Sequence, residues 1–398
     1  MDFKLDPKVA ELRTRIRAFV DTHIIPLERN PDAYDGGGNI ADPWLNDLRD
    51  KARAEGLWCL QLPENLGGRG LDKTGMAVCY EEMNRSIFGP VVFNSAAPDD
   101  GNMMLLARVA TGPQKERWLA PIIDGSVRSA FAMTEPHPGS GSDPGMMRTT
   151  ASRDGDHWII EGHKWFITGA GVAQHFVLVA RTSSDRRKGL TAFLFDRDDP
   201  GWEIVRRIPI LGPEEHGGHC ELRFDGLRIP DENRLMEVGD GLKVTQIRLG
   251  PARLTHCMRW LGLARRCLEI AGEYVAERES FGSTLAAHEG VQWMLGEAAM
   301  AIQTARLLTL YAAWKLDQGD FARKEISMAK VTVADTLHKA ADTAIQLCGA
   351  KGYSRDTVLE WIYRYARQAR LVDGASEVHK MVLAKSLIVD PKKFWSWN

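Results

Sequence analysis

The sequence predicts an α+β multidomain fold: an N-terminal helical domain over residues 1–125, a central β-barrel or sandwich over 126–240 and a C-terminal four-helix bundle over 241–398. Three observations predict it. Apolar residues recur at helical spacing toward both ends of the chain, whereas short β-branched and aromatic runs, separated by turn residues, fill the middle. A length of 398 residues is also enough for two or three domains, each burying its own core.

Asp6-Pro7 opens the first helix, because Asp can cap free backbone N–H groups and Pro lacks one; Val9, Leu12, Ile16, Phe19 and Ile24 follow at helical spacing. Asp42-Pro43 repeats the device ahead of Trp44, Leu48 and Ala52, with Gly56 near the end. Helical patterns at 76–86 and 103–110 complete the first segment. In the second, the clearest hairpin spans 148–160 with Asp154-Gly155 as its turn, and strands follow at 165–168, 176–180, 191–195 and 221–224. The third segment holds four or five long antiparallel helices, at 242–277, from His288 onward, and at 323–347, 357–368 and 376–387. In the helix after His288, Val291, Leu295, Ala298, Ile302, Ala305, Thr309, Ala312 and Leu316 form one face and Leu307, Leu310 and Trp314 another. Such a helix belongs inside a bundle or at a subunit contact.

The charge is balanced, 51 basic against 53 acidic residues, so nothing calls for nucleic acid or an acidic membrane surface. The six cysteines are dispersed and without a CxxC pair, which reads as buried thiols in a reducing compartment. The stretch from Met1 to Pro7 has no apolar leader core, and no run reaches the ~20 uncharged apolar residues of a spanning helix. A soluble, cytoplasmic protein with no stable membrane insertion is expected.

Common catalytic motifs are missing. Gly169-Ala170-Gly171 follows a strand, but Gln174 stands at the sixth position and a strand comes next, against a nicotinamide-binding turn. No P-loop, HExxH helix or GxSxG elbow is present. His216, His219 and Cys220 read as an ordinary polar turn, so no metal is expected.

Five segments carry chemistry of interest, each with a structural alternative. Residues 133–143, with Gly139, Ser140 and Gly141, leave backbone N–H groups open to a ligand, or form a surface turn. Phe166 and Thr168 share a strand face suited to a planar heterocycle, or pack in the core. Arg278 and Gly282 sit where a long helix stops, and could simply terminate it. Gln346, Gly349 and Ala350 mark a helix break able to admit a phosphate or ribose. Asp373, ahead of the last long helix, is either an N-cap or a reactive carboxylate.

In this order and at these spacings, the five segments resemble the acyl-CoA dehydrogenase family of flavoproteins over nearly the whole chain. Leu211-Gly212, His216-Gly217-Gly218-His219, Arg306-Leu307-Leu308 and Asp373-Gly374 resemble the branch with an aspartate base, which favours long or branched acyl chains. The resemblance implies FAD between the β domain and the C-terminal bundle, with an acyl-CoA thioester against its ring. Met133, Thr134, Gly141 and Ser142 match the flavin loop, Ser142 also a substrate contact, and Phe166 and Thr168 the ring-side aromatic and hydroxyl. Arg278 and Phe281 match residues reaching a neighbouring subunit's FAD, and Gln346, Gly349 and Ala350 its adenosine and pyrophosphate contacts, so a homo-oligomer, dimer or tetramer, is implied. Ala375 and Glu377 fall at further cofactor positions, and Arg253 and Gly374 at substrate positions.

The implied reaction is α,β-desaturation to a trans-2-enoyl-CoA: Asp373 removes the α-proton, the β-hydride passes to the flavin, and an electron-transferring flavoprotein takes the electrons. Desolvation is expected to raise the pKa of Asp373, and hydrogen bonds to the thioester oxygen to acidify the α-carbon. The chain departs from the usual pattern at several points. Aspartate replaces the commoner glutamate, Ala252 occupies an alternative base position, and Ala375 replaces a threonine. Glu289 stands where a glutamine is common, and the loop between Thr134 and Ser142 is two residues longer than usual. A nitroalkane-oxidase-like flavoenzyme and a non-catalytic acyl-CoA-binding protein are the competing readings.

Overall fold

The computed structural model describes residues 4–186 and 188–396; Met1 to Phe3, where the amino-terminal reading starts, lie outside them. The first segment contains α1 (Pro7–Phe19), α2 (Asp42–Ala54), α3 (Lys73–Met83), α4 (Gly89–Val92), α5 (Asp99–Val109), α6 (Gly112–Gln114) and α7 (Ala120–Asp124). Asp6 caps α1 as its sequence predicts, its side chain accepting from the Lys8 N–H at 2.8 Å. At α2 the cap is Ala41, and Asp42 is the first helical residue without a capping bond.

The strands are β1 (Arg128–Ala132), β2 (Thr150–Asp154), β3 (His157–Thr168), β4 (Ala173–Arg181), β5 (Leu190–Asp196), β6 (Trp202–Arg207), β7 (His219–Pro230) and β8 (Arg234–Leu235). They join in one eight-stranded mixed sheet, ordered β6-β7-β3-β2-β4-β5-β8 with β1 parallel to β4. The hairpin pairs Asp154 with His157, so its turn is Gly155-Asp156, with Gly155 at φ +62°. Strand alternation divides the burial on β4. Phe176, Leu178 and Ala180 enter a core with Trp158, Phe193 and Phe224, whereas Val177 and Val179 meet Leu105, Leu106, Trp118 and Leu119 of the helical segment.

The third segment comprises α8 (Gly241–Glu277), a two-stranded turn of β9 (Glu279–Ser280) and β10 (Ser283–Thr284), α9 (Glu289–Asp317), α10 (Arg323–Cys348), α11 (Ala350–Tyr353), α12 (Leu359–Ala366), α13 (Ser376–Val389) and α14 (Pro391–Trp395). Length arithmetic suggested a separate core for each segment. Instead, Ile16 and Phe19 of α1 and Tyr80 and Met83 of α3 share one core with Leu254 and Trp260 of α8 and Val333 and Leu337 of α10. All six cysteines are free and buried. On α9, Ala298, Ile302, Ala305, Thr309 and Ala312 are buried, while Leu307 and Trp314 on the other face are exposed in the single chain.

Candidate active site

Asp373 lies between the turn Arg367–Arg370 and α13. It is not an N-cap, because Ala375 holds that position without a side-chain bond. Asp373 and Gly374 both have positive φ, +52° and +98°. For aspartate this conformation costs ~1–3 kcal/mol and persists only where the surroundings enforce it. Two cations do so: the half-buried Arg253 donates from Nε to the Asp373 carbonyl and the buried Lys330 from Nζ to the Gly374 carbonyl, each at 2.8 Å. At 374 the positive φ favours glycine, and a Cβ would in addition crowd His379 Nε2 at 3.2 Å.

The Asp373 side chain is 17% exposed, with Oδ2 3.3 Å from His256 Nε2 and 3.9 Å from Arg248 Nη1. Oδ2 has no aligned hydrogen bond. Burial pushes this carboxyl upward, but the His256 imidazole and the Arg248 and Arg253 guanidiniums outweigh it and hold the group well below the ordinary carboxylate range. The structure thus reverses the expectation of a raised pKa: in the free protein Asp373 is ionised throughout the physiological range. Burial pushes Lys330 down to about 8 and His379 down to about 4.

The β-sheet supplies the second group. Thr134 Oγ1 donates to the Trp165 carbonyl at 2.7 Å, tying the loop after β1 to β3. Beneath it, the buried Glu135 carboxylate accepts from Lys164 Nζ (2.9 Å) and from the N–H groups of Ser140 (3.1 Å), Arg148 (2.7 Å) and Thr149 (2.9 Å). Gly141 and Ser142 ride above this anchor, exposed, with nothing within 4 Å of a Cβ at Gly141. A register shift between Lys164 and Ile167 puts Phe166 at φ +53° and leaves its ring 44% exposed. That ring lies 6.0 Å from His219, whose Nδ1 is 2.9 Å from Thr168 Oγ1. Gln368 Nε2, five residues before Asp373, donates to Glu215 at 3.4 Å, joining the Asp373 segment to the loop that leads to His219.

The remaining candidates are elsewhere. Arg278 follows α8, 25 residues beyond Arg253 and therefore ~37 Å along the helix. Phe281 is 97% exposed beside it. Gln346, Gly349 and Ala350, also exposed, sit at the same end of the bundle, since Lys351 Nζ lies 5.6 Å from the Tyr274 ring. Ala375 and Glu377 flank Asp373. One chain therefore unites Asp373, Gly374 and Arg253, gathers Met133, Thr134, Phe166 and Thr168 on the sheet, and leaves the distal set apart.

Sequence reasoning passed over Arg248, His256, Arg259 and Lys330. The first three fall at i, i+8 and i+11, on one face of α8, and that polar stripe was the available signal. A cavity of about 70 Å³ reaches Arg259 between Asn84, Phe88 and Tyr365, whereas the larger cleft of about 1110 Å³ between Tyr34, Arg207 and Trp361 touches none of these groups. Among the described residues, no group of three or more His, Cys, Asp or Glu is placed to hold a metal, and no helix is long and apolar enough to cross a membrane.

Comparison with known proteins gives three matches in chain order: the acyl-CoA dehydrogenase N-terminal domain at 6–126, middle domain at 130–227 and C-terminal domain at 239–388. A Mycobacterium tuberculosis protein named probable acyl-CoA dehydrogenase FadE2 is 38% identical, over 97% of this chain and 97% of its own. Acyl-CoA dehydrogenase family member 11 of Rattus norvegicus is 39% identical over 96% of this chain, which spans about half (50%) of that relative's length. The solved butyryl-CoA dehydrogenase of Megasphaera elsdenii is 27% identical, with a TM-score of 0.84 over 98% of this chain and 100% of its own.

Proposed function

From the premise that this chain belongs to the acyl-CoA dehydrogenase family, we propose that it desaturates an acyl-CoA thioester between C2 and C3, with Asp373 as the base. The protein is an oxidoreductase of that family and its cofactor is FAD. The residues present fit such a group. Phe166 offers an exposed ring, Thr168 a hydroxyl, and the loop at Gly141 an open backbone, above an anchor that fixes its path. Arg278 and the break at Gly349 suit a pyrophosphate, but their distance from Asp373 favours service to a neighbouring subunit's site, hence a homo-oligomer.

When bound, FAD supplies the hydride acceptor. This chain supplies the rest. Asp373 stands ionised and half-buried, with its buried Oδ2 free of an aligned partner, and that single observation carries the reading. A carboxylate held below its ordinary range is always in the basic form yet weak as a base. Acyl-CoA binding excludes water from the exposed part of the side chain, strengthening burial, the largest influence on the group, and raising its basicity where it is used. In this reading the Asp373 backbone N–H, on a loop clamped at its own carbonyl and that of Gly374, polarises the thioester oxygen and acidifies the α-carbon.

An electron-transferring flavoprotein is the electron acceptor in this reading, and the acyl chain is long or branched. A panel of straight and 2-methyl acyl-CoAs, short to very long, scored by anaerobic flavin bleaching, tests cofactor, reaction and chain preference together. Bleaching by long or branched thioesters is expected; bleaching by none of them would refute the assignment.

A further inference from the structure

We propose that His256 is a positioning residue that tethers the ionised carboxylate of Asp373 between turnovers; this rests on the reading of Asp373 as the base. The tether is defined by a buried chain of polar contacts. Arg259 Nη2 lies 3.3 Å from His256 Nδ1, and a guanidinium can only donate, so Nδ1 accepts and the ring proton sits on Nε2, facing Oδ2. Arg259 is itself fixed by Asp100 at 2.9 Å and the Ser95 carbonyl at 2.8 Å, and Asp100 by the Tyr80 hydroxyl at 3.1 Å. The Trp260 ring stacks on the imidazole, 5.0 Å between centroids and 22° from parallel. Tautomer and ring plane are therefore both specified.

The other charged or titratable groups facing Asp373 are committed elsewhere or too distant. On α8, Arg253 is spent on the Asp373 carbonyl and Arg248 stands at 3.9 Å. On α10, Lys330 is spent on the Gly374 carbonyl; on α13, His379 Nδ1 contacts Ser327 Oγ at 3.1 Å and its Nε2 faces Gly374 rather than the Asp373 carboxylate, while Glu377 is exposed. His256 is left as the side-chain donor within hydrogen-bonding distance of Oδ2. Its approach at 3.3 Å is oblique, short of an aligned bond, so the contact restrains the carboxylate while leaving it able to turn to a substrate. Burial keeps His256 below its ordinary pKa, so it acts as a neutral dipole rather than as a competing acid.

A tether that favours the charged form must weaken Asp373 as a base, and this separates positioning from general structural support. The probe is a series of 3-thiaacyl-CoAs, short to long, which can lose the α-proton to the base but cannot complete desaturation; the readout on the holoenzyme is the long-wavelength absorbance of the bound, deprotonated thioester. In His256→Ala and His256→Asn, which both withdraw the donor at Nε2, the proton-transfer equilibrium should move toward Asp373 by about tenfold, because the Nε2–H dipole that favours the charged carboxylate is withdrawn. His256→Gln, which returns a donor to that position, should restore the wild-type band. A band unchanged or weakened in both folded variants overturns the role of His256. A band that persists in Asp373→Asn, or is missing from the wild type at every chain length, overturns the base assignment instead.

Discussion

Replacing Glu135 with Gln should destabilise the protein by an amount that grows as the pH falls. Glu135 is 3% exposed and accepts from Lys164 at 2.9 Å and from three backbone N–H groups. Gln keeps the volume, but only one of its two terminal atoms accepts, so at least one backbone donor meets an NH2, a loss of ~1–3 kcal/mol at any pH. The second part of the cost comes from Lys164, which is 0% exposed. Burial lowers its ammonium from 10.5 to about 8 even with Glu135 beside it. The folded pKa lies below the unfolded one, so below pH 8 the wild type keeps the folded ammonium only with Glu135 as partner. Without that partner the amine sheds its proton, and each unit of pH below 8 adds ~1.4 kcal/mol to the variant's deficit. Above pH ~9 Lys164 is neutral in both proteins and only the hydrogen-bond loss remains. Urea unfolding of both proteins at pH values between ~6 and ~9.5 measures this directly. A deficit that stays constant with pH would refute the reasoning, and Glu135→Gln with Lys164→Met should abolish the pH-dependent part.

Three further outcomes follow from the same contacts. Gly374→Ala should cost ~1–3 kcal/mol and lower turnover more than FAD content, because its Cβ would crowd His379 at a φ that side chains rarely adopt; thermal melts and flavin absorbance on one preparation check both. Lys330→Met leaves the Gly374 carbonyl unpaired, for a loss of ~1–3 kcal/mol, and should slow flavin bleaching by ~10-fold through a loosened Asp373 loop; single-turnover kinetics measure the rate. Phe281→Asp puts a charge where the ring is 97% exposed in one chain, so sedimentation should show smaller species and gel filtration a loss of FAD if neighbours share the site.

Legibility of the fold followed the range of the interactions. Asp6-Pro7 and the apolar strand run at 176–180 act within a few residues, and the sequence displays them directly. The register shift at Phe166 was hidden, because strand alternation says nothing of the bulge that turns the ring out. At the site, Asp373 was visible as an acidic residue before a helix, but its environment was not. His256, Arg248 and Arg253 all lie on α8, far from Asp373 in the chain, and only the packing of that helix against the Asp373 loop decides that they outweigh burial and reverse the expected shift. The shared core of α1, α3, α8 and α10 escaped length arithmetic for the same reason.

Anaerobic stopped-flow of wild type and Asp373→Asn, with the acyl-CoA that bleaches the wild type fastest, tests the role of Asp373 at its source. The variant should stay yellow, with full FAD content and thioester binding retained, because the amide cannot take the α-proton. Bleaching of the variant at the wild-type rate would contradict the assignment of Asp373 and, with it, the chemistry built around this loop.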